Sequence, residues 1–249
     1  MSPSLADILL AVTRSGERAV VFTMIDGTDA DAGAKLIVRL DREEKHGHDP
    51  GGLAKLAPEV RRNGLLEHEG TRIFAEVFGP PPRLVVIGAV DTSEALCAAG
   101  RAIGWRTICV EPRRRFATPE RMPSADEIVN EWPEEALARI RPDRDTAVIV
   151  LTHDEKFDLP ALKAALATEA FYIGALGSRT AQARRRERLV AAGVPEESQT
   201  RITGPCGLDI GAITPAETAV SVLAEILAVR AGRGGGPLHT SAGRIHVER

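Results

Sequence analysis

The sequence predicts an α/β fold: a Rossmann-like, mainly parallel sheet preceded by a smaller N-terminal α+β domain. Three observations predict it. Short, continuous apolar runs alternate with helix-period segments from Leu84 to Arg230, and strands buried on both faces of a parallel sheet read as such runs. A glycine turn, Gly88-Ala89-Val90-Asp91-Thr92-Ser93, follows the first run directly. The stiff stop Gly79-Pro80-Pro81-Pro82 divides this region from one of different period.

Before the stop, Leu5, Ile8, Leu9 and Val12 recur at helical spacing. AVVFTM (19–24) and AKLIVRL (34–40) read as strands, joined by the turn-rich IDGTDADAG. DREEKHGHDPGG (41–52) reads as a loop, Leu53–Arg62 as a helix, and Leu66–Val77 as a strand. After the stop come strand Leu84–Ile87, helix Glu94–Ile103, strand Thr107–Val110, helix Pro133–Ile140, strand Thr146–Thr152 and helix Leu159–Ala167. Strand Phe171–Ala175, the basic helix Thr180–Ala192 and the apolar-faced helix Thr214–Arg230 complete the series. Such alternation implies right-handed βαβ crossovers. The division is thus 1–78, 79–231, and a glycine-rich tail from 232 to 249 without packed structure.

The chain has 249 residues, 43% hydrophobic and 27% charged, ordinary for a globular protein. A net charge of −3 and 4% aromatic content argue against nucleic acid as a partner. No apolar run approaches the ~20 residues of a bilayer span, and the opening segment reads as an amphipathic helix rather than a leader. Cys97, Cys109 and Cys206 form neither a CxxC pair nor a zinc spacing and fit a cytoplasmic location. His46 and His48, with Asp49, lack a third ordered ligand, so no metal is expected there.

A strand, glycine turn and helix suit a pyrophosphate, whose usual fingerprint is GxGxxG/A. Here Gly88 holds the first place, Val90 the second and Ser93 the last. A valine obstructs the close approach that the second glycine allows, and Asp91 adds a negative charge. Glu111, 23 residues after Gly88, stands where an acid holds a ribose hydroxyl. Arg113, Arg114 and Arg115 follow it and suit a phosphate instead. A turn kept only for the fold is the favoured reading, and NAD(P) is disfavoured.

RLVVIGA, CVEPRRRFATPERMPSADEIV, VIVLTHDEKFDLPAL, YIGALGSRTAQARRRERL and GPCGLDIGAITPAETAVSVLAEILA follow in this order over residues 74–229. Together they resemble the XdhC/CoxI family. AVVFTMIDGTDADAGAKLIV resembles its N-terminal domain more weakly. The resemblance implies a non-catalytic accessory factor for molybdenum hydroxylases of the xanthine dehydrogenase and carbon monoxide dehydrogenase type. Such a factor binds the molybdenum cofactor (molybdopterin) transiently, protects it during sulfuration and delivers it to the apo-enzyme. The implied partners are that apo-enzyme, a cysteine desulfurase and a second copy of the chain. Two departures stand out: GAVDTS replaces the family's GAGHVA, and HGHDPGGLAKL lacks the cysteine of its GGGCVE segment. Two alternatives stay open, an NAD(P)-dependent oxidoreductase with His153 as acid/base and a diverged scaffold without cofactor.

Gly88, Glu111, His153, Asp158, Gly177, Ser178, Arg179, Cys206 and Asp209 are the candidate cofactor-binding residues. Gly177-Ser178-Arg179 opens a helix after a buried strand, where amides, a hydroxyl and a guanidinium suit a phosphate. Ser178 as a helix cap is the alternative. His153, at a strand's C-terminal end, suits proton or hydrogen-bond donation, with Asp158 beside it; both also suit a loop clamp. Cys206 offers a thiol to molybdenum or sulfur, against simple packing. Asp209 lies in a glycine-flanked loop, while Thr214, Pro215 and Glu217 spell a capping box.

Overall fold

The structure is a computed structural model that describes residues 3–26, 32–152 and 154–241. The chain divides into two compact units, Met1–Pro80 with Pro237–Arg249, and Pro81–Gly236.

In the first unit, α1 (Leu5–Ser15) starts at a capping box between Ser4 and Asp7 and stops at Gly16, whose φ of 68° a Cβ would penalise. Five antiparallel strands follow: β1 (Ala19–Met24), β2 (Lys35–Arg39), β3 (Glu44–Gly47), β4 (Gly64–His68) and β5 (Thr71–Phe78). Their order is β3-β2-β1-β5-β4. The most apolar strand, AVVFTM, is central and pairs on both sides.

Three expectations change here. The presumed loop 41–52 contains edge strand β3, whose polar sequence EKHG is allowed because an edge is half solvated. The helix expected at 53–62 is a 3₁₀ segment, Pro50–Glu59, in which Gly51 and Gly52 have positive φ and Pro58 sits inside. The single strand at 66–77 is a hairpin, turning at Glu69 and Gly70 with φ of 50° and 79°, the left-handed pair that tight hairpins use.

The second unit carries six strands: β6 (Arg83–Ile87), β7 (Arg106–Val110), β8 (Glu127–Val129), β9 (Thr146–Val150), β10 (Tyr172–Ala175) and β11 (Ile202–Thr203). Every pairing is parallel. The order β8-β7-β6-β9-β10-β11 is the 3-2-1-4-5-6 winding of a Rossmann fold, reversing between β6 and β9. Helices α2 (Asp91–Ala102), α3 (Pro133–Ile140), α4 (Glu155–Leu166), α5 (Arg179–Ala191), α6 (Glu196–Gln199) and α7 (Pro215–Arg230) connect or cover the strands. The α/β class expected from the alternation is therefore what the chain adopts.

Period-two alternation divides the strands' apolar side chains between two faces. Leu84, Val86, Cys109 and Ile149 pack with Leu96 and Cys97 of α2 and Val222 and Ile226 of α7. Val85, Ile87, Val110 and Val148 pack with Leu137 of α3, Leu162 of α4 and Leu189 of α5. The central strand β9 is buried at every position. No helix among the described residues is long and apolar enough to cross a membrane. The tail's described part includes a short turn, Leu238–Thr240; residues 242–249 lie outside the described residues.

Candidate functional site

In an open parallel sheet, ligands bind beyond the C-terminal strand ends, at the point where the winding reverses. That edge is built from the segments after β6, β7, β9, β10 and β11, and the described candidate residues lie in or just after those segments.

The turn after β6 is closed on itself. Ser93 is fully buried. Its hydroxyl donates to the Gly88 carbonyl at 2.6 Å and accepts from the Val90 amide at 3.3 Å. The Ala89 amide donates to Glu111 Oε2 at 3.4 Å. Two amides of a turn that would cradle a pyrophosphate are thus already used. Gly88 is required for another reason. Its φ is +104°, and an added Cβ would stand 3.3 Å from the Thr152 amide nitrogen. The glycine lets the β6 turn pass the end of β9.

Glu111, 2% exposed, sits at the end of β7 and is taken by Arg113. The guanidinium donates at 2.7 Å to Oε1 and 3.1 Å to Oε2, and the Arg113 amide adds a third bond. This pairing holds the Arg113 pKa above its ordinary value. The guanidinium carbon lies 4.5 Å from the Phe116 ring centre and 5.0 Å from that of Phe157. The acid that would hold a ribose hydroxyl therefore faces a fixed cation.

After β9, Thr152 is buried, and its hydroxyl accepts from the Asp154 amide at 3.0 Å. Asp154 caps α4 by accepting from the Lys156 amide. His153 lies outside the described residues. Asp158 accepts from Arg185 of α5 through both oxygens, at 2.7 and 3.0 Å. Their side chains are 14% and 9% exposed. Arg185 also donates to the Leu176 carbonyl at 3.2 Å. A cleft of ≈290 Å³ between α4 and α5 is lined by Glu155, Lys156, Asp158, Leu159, Arg185 and Arg188.

After β10, Gly177 has φ +132°, open to glycine and strained for other residues. Ser178 caps α5 by accepting from the Ala181 amide at 3.2 Å. Arg179 is exposed, and no carboxylate pairs with it among the described residues. Cys206, after β11, is 7% exposed. Burial, reinforced by the charge of Glu225, pushes its thiol up to about 12, so it stays protonated at neutral pH. Glu225 of α7 accepts from the Gly207 amide at 2.7 Å and from the buried Tyr172 hydroxyl. Burial raises the Tyr172 pKa, and Cys206 and Glu225 add to it. Ser221 donates to the Leu208 carbonyl at 2.6 Å, so two α7 side chains hold this loop. Beyond these anchors Asp209 is exposed.

The candidates thus fall into groups. Gly88 and Glu111 meet through the Ala89 amide. Asp158 is tied through Arg185 to the strand end that leads into Gly177 and Ser178. The Cys206 amide joins the same strand through the Ala175 carbonyl at 3.2 Å. Sequence reasoning missed Tyr172, Glu225 and the aromatic cluster around Arg113. Their available signals were a lone tyrosine, an acid inside an apolar helix, and one of only two tryptophans, Trp132.

A family model described as the XdhC Rossmann domain matches residues 84–226. A curated relative in Bacillus subtilis (strain 168), named as a probable xanthine dehydrogenase subunit, is 32% identical over 160 residues, 64% of this chain and 46% of its own. "Molybdenum cofactor insertion chaperone PaoD" of Escherichia coli (strain K12) is 33% identical over 157 residues, 63% of this chain and 43% of its own. The chain spans less than half the length of these two curated relatives. A solved structure described as a xanthine dehydrogenase from Bacillus halodurans aligns with a TM-score of 0.66 and 23% identity. It covers 95% of this chain and 66% of that one, a likeness of fold.

Proposed function

The chain belongs to the XdhC family, whose Rossmann domain fills residues 84–226, and on that premise we propose that it is a maturation factor for a molybdenum hydroxylase. In this reading it holds the molybdenum cofactor transiently and passes it to the apo-enzyme. The observation that carries it is the 33% identity over 157 residues with the molybdenum cofactor insertion chaperone PaoD. The turn agrees: with the Ala89 and Val90 amides used internally and Glu111 held by Arg113, a nicotinamide dinucleotide has little to bind.

The edge fits part of such a cofactor. Arg179, exposed and without a carboxylate partner among the described residues, and the capped start of α5 suit a terminal phosphate. Asp209 is exposed, with no cation paired to it among the described residues, and suits donors on a heterocycle. Cys206 does not fit as a metal ligand, because its thiol is buried and protonated. The cofactor brings molybdenum on its own sulfur ligands, so the chain's task is to hold, orient and shield. The same reading places the chain in the cytoplasm, with the apo-hydroxylase, a cysteine desulfurase and a second copy of itself as partners.

The test is reconstitution. Purified chain loaded with molybdenum cofactor is expected to retain it through gel filtration and to activate apo-hydroxylase faster than free cofactor does. Arg179→Ala is expected to weaken retention by about tenfold, the loss of one charge-assisted phosphate contact. Activation without retained cofactor would instead assign the chain as a scaffold. Saturable NADH or NADPH binding would assign it as an oxidoreductase.

A further inference from the structure

We infer that the outer face of α7 is a self-association surface, on which a second copy of this chain lays its own α7 antiparallel. The inference rests on the second copy named among the partners above and supplies the surface that copy would use. α7 is apolar almost all round. From Thr218 to Val229 its only charge is Glu225, which turns inward to the Tyr172 hydroxyl and the Gly207 amide. Val222 and Ile226 pack inward on the core shared with α2. On the outer side Val220 is 56% and Leu227 40% exposed, and Ile213, just before the helix, is 90% exposed. The Ile213 amide donates to Glu217 at 2.8 Å, so this side chain is held at the helix start. Ala216, Val220, Ala224 and Leu227 recur three or four residues apart and form one stripe. Other exposed helix faces carry charge, such as Glu134, Glu135 and Arg139 on α3 and Arg179, Arg184 and Arg186 on α5.

A helix that is apolar all round is one whose faces are all covered, and contiguous exposed apolar side chains mark an interface. Shape, charge and size make a second copy the cover. A two-fold contact is self-complementary: residue i meets j, and j meets i. Large Ile213, Val220 and Leu227 alternate with small Ala216, Ala224 and Ala231 along the stripe. A two-fold axis passing beside Val222 sets Val220 against Ala224 of the second copy and Ile213 against its Ala231. Each large side chain then meets a small one, as ridges meet grooves. Charge agrees, because Glu217 lies in the first turn while Arg230 and Arg233 lie at the far end. The antiparallel arrangement brings the acidic end of each copy to the basic end of the other, and the helix dipoles oppose favourably. A charged partner would find nothing to pair with along the turns between them. Sixteen residues span about 24 Å. One helix pair of that length gives an interface near the low end, about 1,200 Å² in total, so the dimer is expected to be reversible and micromolar.

Sedimentation velocity of the full chain across the micromolar range tests this directly. A concentration-dependent dimer is expected, strengthened by sulfate, which favours apolar burial. Val220→Asp and, separately, Leu227→Glu are expected to weaken it about tenfold or more, the effect of losing a central anchor, while each melts like the parent. Register is read by cross-linking. The native cysteines are buried, so a mixture of Val220→Cys and Ala224→Cys proteins is expected to form an oxidised dimer faster than either protein alone.

A chain that stays monomeric throughout the micromolar range overturns the proposal. So does a dimer left unchanged by both Val220→Asp and Leu227→Glu, which would use another surface. Cross-linking no faster in the mixture overturns the antiparallel pairing. A monomer whose complex with apo-hydroxylase is broken by Val220→Asp assigns the face to that enzyme and likewise overturns it. Cofactor retention is measured separately on the parent and on Val220→Asp, so loss of the dimer and loss of the maturation role are distinguishable.

Discussion

Ser93 decides what the glycine turn can do. Its hydroxyl both donates to Gly88 and accepts from Val90 inside a buried turn, so Ser93→Ala strands two polar groups. A cost of about 1–3 kcal/mol is expected for such groups, read as a lower urea midpoint at unchanged slope. Val90→Gly, which only clears the approach, is expected to leave NADH titrations flat, since the amides and Glu111 stay committed. A saturable NADH signal in that variant would show a damaged site rather than a closed one. The sequence made Gly88 visible but not its reason, because the approach to Thr152 is tertiary and 64 positions distant. The capping box at α7 was legible because it is local: Glu217 accepts from Thr214 and Ile213 amides at 2.8 Å, three and four residues away. Tyr172 and Glu225 meet across 53 residues, and no spacing rule connects them.

Elements long enough to carry a period were readable. β6, β9, α3 and α7 lie within a few residues of their expected places, because burial on both faces makes a strand continuously apolar and a stripe marks a helix. β8, β11 and α6 have only three, two and four residues, too few for any period; β8 and β11 form because β7 and β10 supply their hydrogen bonds. At this scale the α4–α5 junction depends on one pair. Asp158 and Arg185 are both mostly buried, and Arg185 also serves Leu176. Asp158→Ala is expected to cost about 3 kcal/mol, because it leaves a buried cation unpaired. The double variant Asp158→Leu with Arg185→Leu is expected to recover part of that loss. Equal destabilisation in single and double variants, by chemical denaturation, would contradict this account of the junction.

For the molecule as a whole, the buried thiols predict an alkaline limit. Cys109 and Cys206 are pushed up to about 12, chiefly by burial, from an ordinary value of 9. A folded-state pKa above the unfolded one gives stability that is complete below pH 9 and is lost as pH rises toward 12. The urea midpoint is expected to fall across that window, and less so in a Cys109→Ala, Cys206→Ala protein. The same burial leaves Cys206 unreactive toward iodoacetamide at neutral pH until the chain unfolds. The proposed maturation role rests on the family and on an edge that keeps Arg179, Asp209 and Trp132 exposed while the dinucleotide turn is closed on itself. The most direct measurement is the molybdenum content of the chain after incubation with molybdenum cofactor and gel filtration, set against NADH titration of the same preparation. Co-eluting molybdenum that transfers to apo-hydroxylase is expected, with a flat NADH titration; a chain that elutes free of molybdenum while binding NADH saturably would overturn the maturation role.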